Sequence, residues 1–77
     1  MNVTLFTKEG CELCHEAEAV IRKLRTRIHF QLDLVYIDED ASAYNLYWDK
    51  VPVIAVDGVE VARAPLDERR LREMFLR

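Results

Sequence analysis

Leu5-Phe6-Thr7-Lys8-Glu9-Gly10-Cys11-Glu12-Leu13-Cys14 decides how this chain is read. The stretch holds both cysteines of the sequence, at i and i+3. Upstream, Asn2 to Thr7 is a β-favouring run and reads as a strand. Lys8-Glu9-Gly10 is a short loop, and Gly10 permits a tight approach to the next element. Downstream, from about Glu12 to Arg27, Leu13, Ala17, Val20, Ile21, Leu24 and Ile28 recur with helical period. Cys14 falls in line with Ala17 and Ile21. Glu12, Glu16 and Glu18 come early and Arg22, Lys23, Arg25 and Arg27 late, an order that suits the helix dipole. Two thiols in the first turn of a helix share a face and can join with little backbone movement. The free N–H groups there favour thiolate over thiol. A reversible dithiol/disulfide couple needs that arrangement.

The rest of the chain alternates strand and helix. Leu32 to Ile37 is a second strand, and its nearly continuous apolar run predicts burial on both faces, as in a parallel inner strand. Asp38-Glu39-Asp40 opens a short helix through about Tyr47. Val51 to Val56 is a third strand, Asp57-Gly58 a hairpin turn, and Val59 to Ala62 the returning strand. Pro65 ends that strand and opens a last helix, about Leu66 to Leu76, with Leu71, Met74, Phe75 and Leu76 as its apolar positions. The order β-α-β-α-β-β-α predicts an α/β fold. Its first two strands run parallel with a right-handed crossover, its last two form an antiparallel hairpin, and helices cover both faces of a mixed four-stranded sheet.

Length and composition set the bounds. A chain of 77 residues forms a single domain, 1–77, with one core. Hydrophobic residues are 51% and charged residues 32%, a balance for a soluble globular chain. A net charge of -3 leaves no basic footprint for nucleic acid, and the cluster from Arg22 to Arg27 reads as a solvated helix face. No apolar stretch approaches the ~20 residues that span a bilayer, so no membrane contact is expected. The start has no basic segment followed by a long apolar one, so neither a signal peptide nor a trimmed N-terminus is expected. A single cysteine pair in a cytoplasmic chain points to catalysis or metal binding rather than to a structural staple.

The Cys11-Glu12-Leu13-Cys14 motif after the first strand, the Val51-Pro52 before the third and the element order together resemble a glutaredoxin, a minimal thioredoxin fold. Small bacterial glutaredoxin-like proteins are the nearest likeness. It is carried by Leu5 to Cys14 and by Lys50-Val51-Pro52-Val53-Ile54-Ala55-Val56-Asp57-Gly58, and it covers essentially the whole chain. The resemblance implies that Cys11 is the exposed nucleophile and Cys14 the buried resolving thiol. It implies that Pro52 is a cis-proline and that Val51 offers backbone hydrogen bonds to a bound thiol substrate. Lys8 matches a basic position that supports the thiolate and a glutathione carboxylate. The implied partners are protein or small-molecule disulfides, with a reductase or glutathione as reductant. A monomer without a cofactor is expected.

The sequence departs from the family pattern in two places. Glutaredoxins carry a Gly-Gly pair and a following Asp where the γ-glutamyl carboxylate of glutathione docks; here the stretch is Ala62-Arg63-Ala64-Pro65-Leu66-Asp67. The Pro-aromatic pair common between the cysteines is replaced by Glu12-Leu13. Weak activity with glutathione-mixed disulfides and better activity with protein disulfides are therefore expected. Glu9 and Glu12 oppose a thiolate at Cys11, which points to the reducing end of a range between about −270 and −200 mV.

Cys11-Glu12-Leu13-Cys14-His15 also matches the c-type haem attachment pattern, with Met74 as a distant axial ligand, but the strands and Val-Pro pair oppose it. Cys11, Cys14, His15 and His29 do not converge as a zinc set, because His29 lies about four turns along. The alternative function is a partner-binding module, or one that holds an iron–sulfur cluster between two protomers through Cys11. A scaffold with a vestigial cysteine pair is a third. Trp48, in the short link before Val51-Pro52, is a candidate docking residue beside the site.

Overall fold

The computed structural model describes residues 1–76. Its elements are β1 (Asn2–Thr7), α1 (Glu12–Arg25), β2 (Gln31–Tyr36), a 3-10 turn (Ile37–Glu39), α2 (Ala41–Tyr47), β3 (Val53–Val56), β4 (Val59–Arg63) and α3 (Glu68–Phe75). The sheet order is β2-β1-β3-β4. β1 pairs with β2 in parallel and with β3 in antiparallel, Leu5 lying opposite Leu34 and Ile54. β3 and β4 form the expected hairpin, with an irregularity between Ile54 and Ala55. Its turn has positive φ at both Asp57 (50°) and Gly58 (86°), the geometry that matches strand twist in two-residue loops. Asp57 also ties the hairpin to β1. Its N–H donates to the Asn2 carbonyl and its Oδ1 accepts from the Asn2 N–H, both at 2.8 Å.

Period-two alternation sorts the sheet into two faces. Val3 and Leu5 of β1 and Ile54 of β3 point to one of them, and Ala17, Ile21 and Leu24 of α1 with Leu71 and Phe75 of α3 cover it. Phe30 meets Phe75 edge-on at 5.3 Å between ring centres. Phe6, with the opposite parity, stacks on Tyr47 of α2 at 4.6 Å, which puts α2 on the other face. This is an α/β thioredoxin fold with helices on both sides of a four-stranded mixed sheet.

Several boundaries differ from expectation for local reasons. β2 is an edge strand, not a buried inner one: its residues are exposed or partly buried, and only Ile37 beyond it is fully buried. The crossover sets β2 outside β1, so its apolar run reflects helices reaching over an edge. α1 stops at Arg25, where the Thr26 hydroxyl donates back to the Lys23 carbonyl at 2.7 Å. Asp40 and Asp67 cap α2 and α3 with their carboxylates, so those helices begin at Ala41 and Glu68. β3 starts at Val53 rather than Val51. Leu13 and Leu76 leave the apolar stripes and stand 53% and 66% exposed. Both X-Pro bonds are cis: Val51–Pro52, as expected, and Ala64–Pro65, at the corner between the returning strand and the last helix.

Candidate active site

The loop Lys8-Glu9-Gly10 delivers Cys11 to the start of α1. Gly10 holds φ +72°, a left-handed turn that a β-carbon would strain. Cys11 then caps the helix. Its backbone is extended and its Sγ accepts the Cys14 N–H at 3.2 Å, the role an oxygen plays in an ordinary cap. A sulfur at a helix N-terminus with an N–H aimed at it is placed to carry negative charge. Cys11 is partly exposed, and both cysteines are free thiols.

Cys14, in the same turn, is buried. It is 1% exposed, on the same stripe as Ala17 and Ile21. Burial pushes its thiol above the ordinary cysteine range, and the neighbouring Cys11 adds to the effect. Hydrogen bonds from the Thr7 side chain and the Lys8 backbone offset part of it. The pair thus combines one accessible sulfur with one desolvated sulfur in a single helical turn.

Two clefts flank the pair. One, of about 190 Å³, runs between α1 and the chain before α3 and is lined by Leu13, Glu16, Val20, Pro52, Pro65 and Leu66 among others. Pro52 is buried there, and its carbonyl accepts the Ala64 N–H at 3.3 Å, which holds the Ala64-Pro65 corner beside it. The other, of about 280 Å³, is lined by Thr7, Lys8, Gly10, His15, Glu18 and Tyr36 among others. Lys8 is therefore not gathered with Pro52 into one groove; the two stand on different sides of the cysteines. The Val51 N–H is turned back to the Tyr47 carbonyl at 3.2 Å, so the pairing expected of Val51 narrows to its own carbonyl. Trp48 stands 57% exposed at the end of α2. Among the described residues no group of three or more His, Cys, Asp and Glu side chains is placed to hold a metal ion.

The region where a glutathione carboxylate would dock is occupied differently. Arg63, a positive charge in the stretch that replaces the Gly-Gly pair, binds Glu60 through Nε and Nη2. That pairing holds the Glu60 carboxyl below its usual range and the Arg63 guanidinium above its own. Arg63 faces the cleft with Asp67 and Arg70, away from the cleft that holds Pro52.

Thr7 is the residue that motif reading passed over. Its signal was the alternation itself: Val3, Leu5 and Thr7 share a parity, so a hydroxyl is directed into an apolar face.

Comparison with known proteins fits this geometry. The model of the glutaredoxin-like domain (DUF836) matches residues 2–76. The X-ray structure of the structural-genomics target XcR50 from X. campestris superposes with a TM-score of 0.78 at 32% identity, covering 94% of this chain and 92% of that one. Thioredoxin O2 from Arabidopsis thaliana, in its oxidized state, gives a TM-score of 0.68 at 28% identity over 95% of this chain and 70% of its own. The uncharacterized protein Rv0508 of Mycobacterium tuberculosis is 31% identical over 75 residues, 91% of this chain and 77% of its own length. A close cysteine pair on this fold supports a redox-type role. The chain belongs to the glutaredoxin-like domain (DUF836) family.

Proposed function

We propose that the protein is a thiol–disulfide oxidoreductase that works on protein disulfides through Cys11 and Cys14. One observation carries the reading: the accessible Cys11 sulfur sits at the N-cap of α1 with the Cys14 N–H aimed at it, and Cys14 lies buried in the same turn. Cys11 thiolate attacks a substrate disulfide, giving a mixed disulfide and releasing the first substrate thiol. Cys14 then attacks Cys11, freeing the second thiol and leaving the Cys11–Cys14 disulfide. An external dithiol donor resets the pair. The groove beside Pro52 suits an apolar side chain next to the substrate cysteine, and the Val51 carbonyl suits an extended backbone. The protein works as a monomer in a reducing compartment, the cytoplasm. No helix among the described residues is long and apolar enough to cross a membrane.

A cluster shared between two chains would draw on Cys11 alone from each, since Cys14 is buried. The dithiol reading uses both sulfurs and is preferred for that reason.

The choice of substrate has a direct test. Ala62, Arg63 and Ala64 add β-carbons where glutaredoxins place glycines, Pro65 removes an N–H, and Arg63 is engaged by Glu60. Turnover of a glutathionylated substrate with glutathione and glutathione reductase is expected to be at least about tenfold slower than disulfide reduction in insulin coupled to a thioredoxin-reductase-type enzyme. Efficient glutathione-driven turnover would make glutathione the reductant instead. Failure with both substrates would remove the oxidoreductase reading.

A further inference from the structure

The cleft beside Pro52 has apolar walls, among them Leu13, Val20, Pro65 and Leu66, and Glu16 is the one charged side chain that lines it. Leu13 stands between the two cysteines in the sequence, so the cleft opens next to the reacting pair. Its volume of about 190 Å³ is below the roughly 300 Å³ at which small-molecule sites begin. It therefore suits a side chain or two of a longer segment rather than a whole small ligand.

Nothing in that cleft neutralises Glu16. It makes no ion pair among the described residues. Lys8 lines the other flanking cleft, and Arg63 lines a third cavity, where Glu60 holds it. Glu18, two positions along α1, also lines the other cleft and is paired with Arg22 at 2.9 Å. Glu12 lies one helical turn before Glu16 on the same side of α1 and adds charge of the same sign. A segment that enters the cleft thus meets an apolar wall and an uncompensated carboxylate together.

We propose that Glu16 is a specificity residue for the disulfide substrate. It selects segments with an apolar side chain for the cleft and a lysine or arginine close to the reacting cysteine. It turns away anionic segments by like-charge repulsion, and with them glutathione, which carries more carboxylates than ammonium groups. The inference rests on the reading of Cys11 as the nucleophile and names the substrate class for that site. Glu16 is exposed, so the selection has the size of a surface ion pair and weakens as salt rises.

The test uses a matched pair of short peptides with a leucine beside their single cysteine and, next to that leucine, a lysine in one peptide and a glutamate in the other. Each is joined by a disulfide to the same coloured aromatic thiol. Cys11 thiolate attacks the peptide sulfur, the Cys11–peptide bond forms, and the aromatic thiolate leaves with the electron pair of the broken bond, which gives the colour. Cys14 then attacks Cys11 and frees the peptide thiol. The reduced wild-type protein should react about fivefold faster with the lysine peptide at low ionic strength, and the preference should fade in about 1 M salt. Glu16→Gln should lower the preference at least about twofold, and Glu16→Lys should abolish or invert it. Taking the ratio of the two rates cancels any change in Cys11 itself, and both replacements are good helix formers at an exposed site. Glu73→Gln, which removes the same charge from α3 outside both flanking clefts, should keep the wild-type ratio. Wild-type ratios in both Glu16 variants would overturn the proposal. So would an equal fall in Glu73→Gln, because net charge rather than Glu16 would then select. A wild-type protein that releases colour from neither peptide faster than Cys11→Ser would instead overturn the oxidoreductase reading beneath it.

Discussion

Cys11→Ser is expected to reduce insulin disulfides no faster than buffer alone, whereas Cys14→Ser should stop one step later, with substrate held on Cys11. The difference follows from position. Cys11 is the sulfur that solvent and a substrate can reach, and its cap geometry sets an N–H against it. A serine hydroxyl there is not ionised near neutral pH and is no nucleophile toward a disulfide. Cys14, at 1% exposure, can meet only the sulfur of Cys11, so its loss leaves the first attack intact and removes the release. Mass spectrometry of non-reduced protein should find the mixed disulfide on Cys11 in the Cys14→Ser variant. Native alkylation should modify Cys11 well before Cys14. Faster modification of Cys14 would reverse the two roles.

Ile21→Ala is expected to have the largest effect on stability. Ile21 is fully buried, on the stripe of α1 that packs onto β1 and β3, and it lies one helical turn beyond Ala17 on the stripe that carries Cys14. Truncating a buried isoleucine to alanine costs about 2–5 kcal/mol. A domain of this size holds only a few kcal/mol in reserve, and each kcal/mol moves the midpoint by about 4–8 °C. A loss of about 3 kcal/mol therefore predicts a melting temperature lower by roughly 12–24 °C, read by circular dichroism. Val59→Ala, at a site 64% exposed on β4, should change stability by no more than about 0.5 kcal/mol. Equal losses in the two variants would mean that the α1 stripe is not what holds the sheet.

Much of this architecture is legible in the sequence because its signals are local. The Asp57-Gly58 pair specifies its own turn, the spacing of Ala17, Ile21 and Leu24 specifies a helix face, and Val51-Pro52 marks the corner that packs beside α1. What stays hidden depends on neighbours in space. Leu32 to Ile37 has the composition of an inner strand, and only the crossover makes it an edge. Asp40 and Asp67 cap their helices, but an aspartate before a helix looks much the same in sequence whether it caps or merely precedes. Leu13 fits the apolar period yet lies in the first turn, beyond the reach of the sheet, where it lines the cleft beside Pro52.

The site divides in the same way. The cysteine pair and the proline are motif residues and are visible at once. The separation of Lys8 from Pro52 arises from how the loops fold back, and the pairing of Arg63 with Glu60 joins two residues of β4, three apart, that regular strand alternation would put on opposite faces. Thr7 is intermediate: its parity on β1 gives its burial, but its influence on the Cys14 thiol requires the placement of α1.

On the proposed mechanism Cys11 and Cys14 form one reversible two-electron couple. Its most direct test is a redox titration of the wild-type protein in dithiol/disulfide buffers, quenched by alkylation and read by mass spectrometry. Both thiols should disappear together in one transition within the chain, with a midpoint between about −270 and −200 mV and toward the reducing end. Thiols that stay free across that range, or that oxidise only by linking two chains, would contradict it.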